Sequence, residues 1–142
     1  MPYEILPNIF LGDIKDAENV DNSFGLVINC TKNISFTNPN IPGIRIPVND
    51  SPDSSEQLIM YNHWMDYKTF NDIHNTIISG KDVLIHCQMG RQRSAATVVA
   101  YIMYSLNWPL DRTINFVKSK KPDAFFGSVN FIEALHNFSQ QI

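Results

Sequence analysis

The run His86-Cys87-Gln88-Met89-Gly90-Arg91-Gln92-Arg93-Ser94 places a cysteine and two arginines within one short segment. It follows the apolar Val83-Leu84-Ile85 and precedes Ala95 through Met103, so the pattern predicts a buried strand, a tight loop and a helix that is apolar nearly all round. A cysteine six residues before an arginine, in a loop that opens a helix, can hold a phosphate against a thiolate. The backbone N–H groups of such a loop point inward, and the helix N-terminus adds partial positive charge. That field favours the thiolate of Cys87, which is its nucleophilic form. Arg93 brings a planar fork that binds two phosphate oxygens and follows them into the transition state. Gly90 serves where the loop needs a positive φ or a close backbone approach. Cys87 also fits a small buried hydrophobe at a strand end, but that reading leaves Arg91, Arg93 and the polar loop without a purpose.

The four fixed positions His86, Cys87, Arg93 and Ser94 match the His-Cys-x5-Arg-Ser/Thr signature, and the chain resembles the cysteine-dependent protein tyrosine phosphatases. Classical members carry extra segments that build a deep cleft around phosphotyrosine. A chain of 142 residues has no room for them and is similar instead to the compact dual-specificity phosphatases. That resemblance implies a phosphoric monoester hydrolase with a shallow pocket for phosphotyrosine, phosphoserine and phosphothreonine in a phosphorylated protein substrate. Cys87 attacks phosphorus and forms a phosphocysteine. The N–H groups of Gln88, Met89, Gly90, Arg91, Gln92 and Arg93, with the Arg93 guanidinium, stabilise the transferring phosphoryl group. By resemblance, Ser94 hydrogen-bonds the thiolate when it leaves, a role compatible with capping the helix, and His86 tunes the loop without touching substrate. The acid that protonates the leaving oxygen follows the strand before the long helix in this family. That register falls on Asp50, with Asp53 three residues later as its rival. Asp53 also fits a helix-entry residue, with Ser54 or Ser55 as the cap.

Arg91, four residues after Cys87, is similar to a cation found in relatives that act on phosphoinositides or phosphatidylglycerophosphate. Those relatives carry a second basic residue directly after the cysteine, where this chain has Gln88. A phospholipid phosphatase using the same residues is therefore the alternative function, and a solvated Arg91 on the loop rim is the plainer reading of that side chain. A phosphoprotein-binding module without activity would have no need of Cys87, Arg93 and Asp50 together. Cys30 ends a second buried strand; it fits a small core residue, or by resemblance the partner of a reversible disulfide to Cys87. His63, His74 and His136 form no cluster at metal-ligand spacing, so neither metal nor cofactor is expected.

These residues must be positioned by a single domain spanning 1–142. A net charge of −3 argues against a nucleic-acid binder, an RNA triphosphatase included. No apolar run reaches the ~18 residues of a membrane span, and neither a signal peptide nor a lipidation motif is recognisable. Two cysteines fit a reducing compartment, the cytosol by default. Ile5 through Gly12 is similar to the family's opening strand, and Gly25 through Cys30 reads as a buried one. Ile44 through Val48 alternates like an edge strand, since Pro47 disfavours a central place. Leu58, Tyr61, Trp64, Met65, Ile73, Ile77 and Ile78 recur at helical spacing up to Gly80. Leu110, Ile114 and Val117 mark a short helix closed by Lys118, Lys120 and Lys121, and Val129, Ile132, Leu135 and Phe138 mark a last one. Strands threaded between helices predict an α/β fold with a mostly parallel central sheet flanked by helices, of the protein tyrosine phosphatase type, with the active loop at its C-terminal edge.

Overall fold

The computed structural model describes residues 1–142 and contains a five-stranded sheet. Its strands are β1 (Tyr3–Leu6), β2 (Ile9–Gly12), β3 (Phe24–Asn29), β4 (Gly43–Arg45) and β5 (Asp82–His86). The spatial order is β1-β2-β5-β3-β4, with β1 antiparallel to β2 and the other neighbours parallel. The helices are α1 (Ile14–Glu18), α2 (Ser54–Met65), α3 (Lys68–Ile78), α4 (Arg93–Leu106), α5 (Leu110–Lys120) and α6 (Ile132–Gln141).

β5 lies at the centre, flanked by β2 and β3, and both of its faces are covered. Val83 and Ile85 join the main core with residues of α2, α3, α4, α5 and α6, whereas Leu84 packs with Ala17, Val27 and Ile41 on the opposite face. Burial on both faces is why the strand reads as an unbroken apolar run. The alternation continues past the strand. Cys87 belongs to the main core, and His86 faces the smaller one beside Ala17, Val27 and Ile41. α4 is buried from Ser94 to Met103 without interruption, as its nearly all-round apolarity predicts. β4 pairs only with β3 and is an edge strand, and Pro47 falls beyond its end.

Four expectations are corrected. Ile5 through Gly12 is a hairpin of two strands, not one, because Asn8 takes φ 71° after Pro7 and reverses the chain. The apolar periodicity up to Gly80 is carried by two helices. Tyr67 sits at φ 60° between α2 and α3, where its ring stacks on Tyr104 with centroids 5.0 Å apart. Lys121 is not an exposed helix end. It lies outside α5, is 4% exposed, and its Nζ donates to Asp123 Oδ1 at 2.5 Å. Ser94 does not cap α4, because the capping position is Gln92 and Ser94 lies inside the first turn.

Candidate active site

The loop from Cys87 to Gln92 leaves the C-terminal end of β5, the central strand, and runs into α4. Its carbonyls are anchored outward. Gln88 O accepts from Ile14 N at 3.1 Å, Arg91 O from Phe125 N at 2.8 Å and Gln92 O from Ala96 N at 2.8 Å. None of the backbone N–H groups of Gln88, Met89, Gly90, Arg91 and Gln92 donates to a protein acceptor. Gly90 turns the loop at φ 70°, and a Cβ there would lie 2.8 Å from Gly12 O. Both the positive φ and the close backbone contact demand glycine.

Cys87 is 2% exposed and its Sγ lies 3.1 Å from Ser94 Oγ. A hydroxyl at that distance donates to a thiolate. His86 Nδ1 lies 3.4 Å from the Cys87 carbonyl, an acceptor only, so the ring's N–H faces it. Burial pushes the His86 pKa below 6.5 and outweighs the bond to Cys87, which acts in the other direction. The imidazole is therefore neutral at pH about 7 and works as a hydrogen-bond donor from the face opposite Cys87. Arg93 Nη1 donates to Val48 O at 3.1 Å, while its Nε is buried without a partner. Unpaired buried donors are rare and each asks for an acceptor.

The contact with Val48 brings the segment 48–53 beside the loop. Asn49 N donates to Glu56 Oε1 at 2.5 Å, and Gln57 Nε2 donates to Pro52 O at 3.3 Å, so the first turn of α2 holds this segment. Asp50 Oδ1 accepts from Asn130 Nδ2 at 2.9 Å, and Asn130 N donates to Gln92 Oε1 at 2.9 Å. Asp50 is thereby joined to the Cys87 loop through one residue. Asp53 occupies the capping position of α2 with no side-chain cap bond, and it has no comparable link to the loop.

The Arg91 side chain is 44% exposed, and its Nε donates to Asp123 Oδ2 at 3.1 Å. Burial acts to raise the Asp123 pKa, but hydrogen bonds from Lys121 and Arg91 overcome it and hold the carboxyl below 3.8. Arg91 is thus neither a free rim cation nor an isolated charge aimed at a ligand. Cys30 follows the end of β3, where its N–H donates to His86 O at 2.8 Å. Burial pushes its thiol up to about 12, and both cysteines are free. His63, His74 and His136 lie on three different helices.

Val48, Glu56, Gln57, Asp123 and Asn130 are parts of the site that the sequence did not reveal. Val48 contributes only a carbonyl, and the others are ordinary polar residues: Asp123 and Asn130 meet their partners Arg91 and Asp50 far off in the chain, while Glu56 and Gln57 lie close in sequence to the segment they hold but form no recognisable motif with it.

A family model described as the dual specificity phosphatase catalytic domain matches residues 9–141, and the chain belongs to this family. It is 38% identical over 141 residues to a protein of Invertebrate iridescent virus 6 named as tyrosine phosphatase 123R, covering 98% of this chain and 92% of the viral one. It is 33% identical to human dual specificity protein phosphatase 16, covering 99% of this chain but only 21% of that protein. The crystal structure of a single-site variant of human DUSP28 superimposes with a TM-score of 0.83 at 25% identity, covering 99% of this chain and 94% of the other. The chain is thus a phosphatase of the hydrolase class, and no helix in it is long and apolar enough to cross a membrane.

Proposed function

We propose that this chain, acting as one catalytic domain over residues 1–142, removes phosphate from phosphotyrosine and from phosphoserine or phosphothreonine in proteins through a phosphocysteine on Cys87. The observation that carries the reading is the ring of donors around Cys87. Five loop N–H groups have no protein acceptor, and the buried Arg93 Nε has none either. Donors fixed in this way match the equatorial oxygens of a transferring phosphoryl group and need no reorganisation when charge develops.

In the first step the Cys87 thiolate attacks phosphorus, the ester P–O bond breaks, and Asp50 gives its proton to the departing oxygen. In the second, a water oxygen attacks the phosphocysteine while Asp50 takes back a proton. The S–P bond then breaks, and the thiolate accepts a hydrogen bond from Ser94, already 3.1 Å away. His86 holds the Cys87 carbonyl from the other face of the sheet and does not meet substrate. A catalytic thiolate persists in a reducing compartment, so the reading places the chain in the cytosol. It requires neither metal nor cofactor.

The pairing of Arg91 with Asp123, and a neutral Gln88 directly after Cys87, support phosphopeptides over polyanionic lipid head groups. Turnover of phosphotyrosine and phosphothreonine peptides, set against a panel of phosphoinositides, tests this. Peptide turnover is expected, and Arg91→Ala should have a small effect on either class that fades with salt, since exposed charges are screened within about 10 Å at 0.1 M. Lipid turnover without detectable peptide turnover would overturn the reading.

A further inference from the structure

Asn130 uses every polar group it has. Its Oδ1 accepts from Ser128 Oγ at 2.8 Å, which turns the amide so that Nδ2 faces Asp50 and donates to Oδ1 at 2.9 Å. Its backbone N–H donates to Gln92 Oε1 at 2.9 Å, and its carbonyl accepts from Gln57 Nε2 at 2.5 Å. Gln92, 7% exposed at the end of the Cys87 loop, also donates from Nε2 to Ser128 O at 2.6 Å. Gln57 accepts from Ala134 N at 2.9 Å, which fixes its own amide. The segment 128–130 is therefore clamped to the Cys87 loop on one side and to the Asp50 segment on the other.

An exposed carboxyl on a loop loses rate when it wanders, because proton transfer requires the heavy atoms within about 2.6–3.2 Å of each other. A fixed donor on one carboxyl oxygen restrains the rotor and leaves the other oxygen to carry the proton. We infer that Asn130 is a positioning residue for Asp50: its Nδ2 holds Oδ1 so that Oδ2 faces the leaving oxygen, and its backbone transmits the placement of the Cys87 loop through Gln92. This rests on Asp50 being the general acid.

The test compares kcat for a phosphotyrosine peptide, a poor leaving group, with kcat for an activated aryl phosphate, a good one. The enzymes are wild type, Asn130→Ala, Asn130→Asp, Asp50→Asn and the double variant Asp50→Asn with Asn130→Ala. The ratio between the two substrates is independent of how much of each variant is folded. Asn130→Ala should slow the peptide roughly tenfold more than the aryl phosphate, a fraction of the roughly 10²–10⁴ that a positioned acid supplies. Asn130→Asp keeps the shape, sets a charge against Asp50 and should change the ratio at least as much. In the double variant Asn130→Ala should add nothing to the effect of Asp50→Asn on that ratio, since the two residues act as a unit. Equal slowing of both substrates by the Asn130 variants, or a further change of the ratio in the double variant, would overturn the inference and assign Asn130 to the loop alone. A ratio unchanged in Asp50→Asn would remove the acid assignment and this inference together. A ratio changed in Asp50→Asn but not in the Asn130 variants would remove the inference and spare the acid.

Discussion

Arg93 holds the Val48 carbonyl with Nη1 at 3.1 Å and keeps a buried Nε without a protein partner. A buried donor left in that condition costs about 1–3 kcal/mol, and on the proposed function the acceptor that relieves it is a phosphate oxygen of the substrate. Lysine in its place would keep the charge and lose both the fork and the geometry of the bond to Val48. Arg93→Lys should therefore lower kcat/KM on an aryl phosphate by about a hundredfold or more, the scale of losing a preorganised donor, and nearly as much as Arg93→Ala. Retention of most activity would mean that Arg93 acts as a generic charge. The residues around Cys87 were legible because their interactions are local: Cys87 and Ser94, 3.1 Å apart in space, are only seven residues apart in sequence. Asn130 meets Asp50 across 80 residues, and no short spacing announces such a pair.

At the scale of elements, the segment between β4 and α2 is tied at Val48, Asn49, Asp50 and Pro52 to Arg93, Glu56, Asn130 and Gln57. Asp53 stands outside this set of ties, at the start of α2. Asp50→Asn should slow a phosphotyrosine peptide far more than an activated aryl phosphate and should remove the alkaline fall of the pH–rate profile, which reports loss of the acid's proton. Asp53→Asn should do neither, and the same behaviour on Asp53→Asn would move the role there. The order of elements was readable from apolar periodicity, since burial on one stripe or on two faces leaves a pattern in every strand and helix. The breaks were not. Tyr67 and Asn8 each adopt a positive φ fixed by contacts distant in sequence: a ring stacked on Tyr104, and a side chain that donates to Asp82 Oδ1 at 2.8 Å. Lys121 misled for a related reason, because a cation after a helix resembles a solvated end until Asp123 and the Tyr3 ring, 5.3 Å away, enclose it.

For the molecule as a whole, the sheet sets the two faces of the signature to different work. Cys87 enters the main core beneath α4, while His86 is buried neutral on the smaller face. That burial carries a pH signature. The unfolded imidazole titrates near 6.5 and the folded one lower, so below that value the unfolded chain binds a proton that the folded chain refuses. Stability should therefore fall as the pH drops from about 7.5 to about 5.5, with a shallower slope in His86→Asn, measured by denaturant midpoints at each pH. A slope unchanged in that variant would place the titration elsewhere, for example on the half-buried His63, whose pKa burial also lowers. The claim that joins sheet, loop and helix is that Cys87 takes the phosphoryl group itself. Rapid acid quenching of a single turnover with a phosphotyrosine peptide radiolabelled on phosphorus tests it most directly. The expected result is label bound to the protein and mapped to the fragment that holds Cys87, with none on Cys87→Ser, which should be folded and inactive. Labelled inorganic phosphate released without any labelled protein, together with turnover retained by Cys87→Ser, would contradict it.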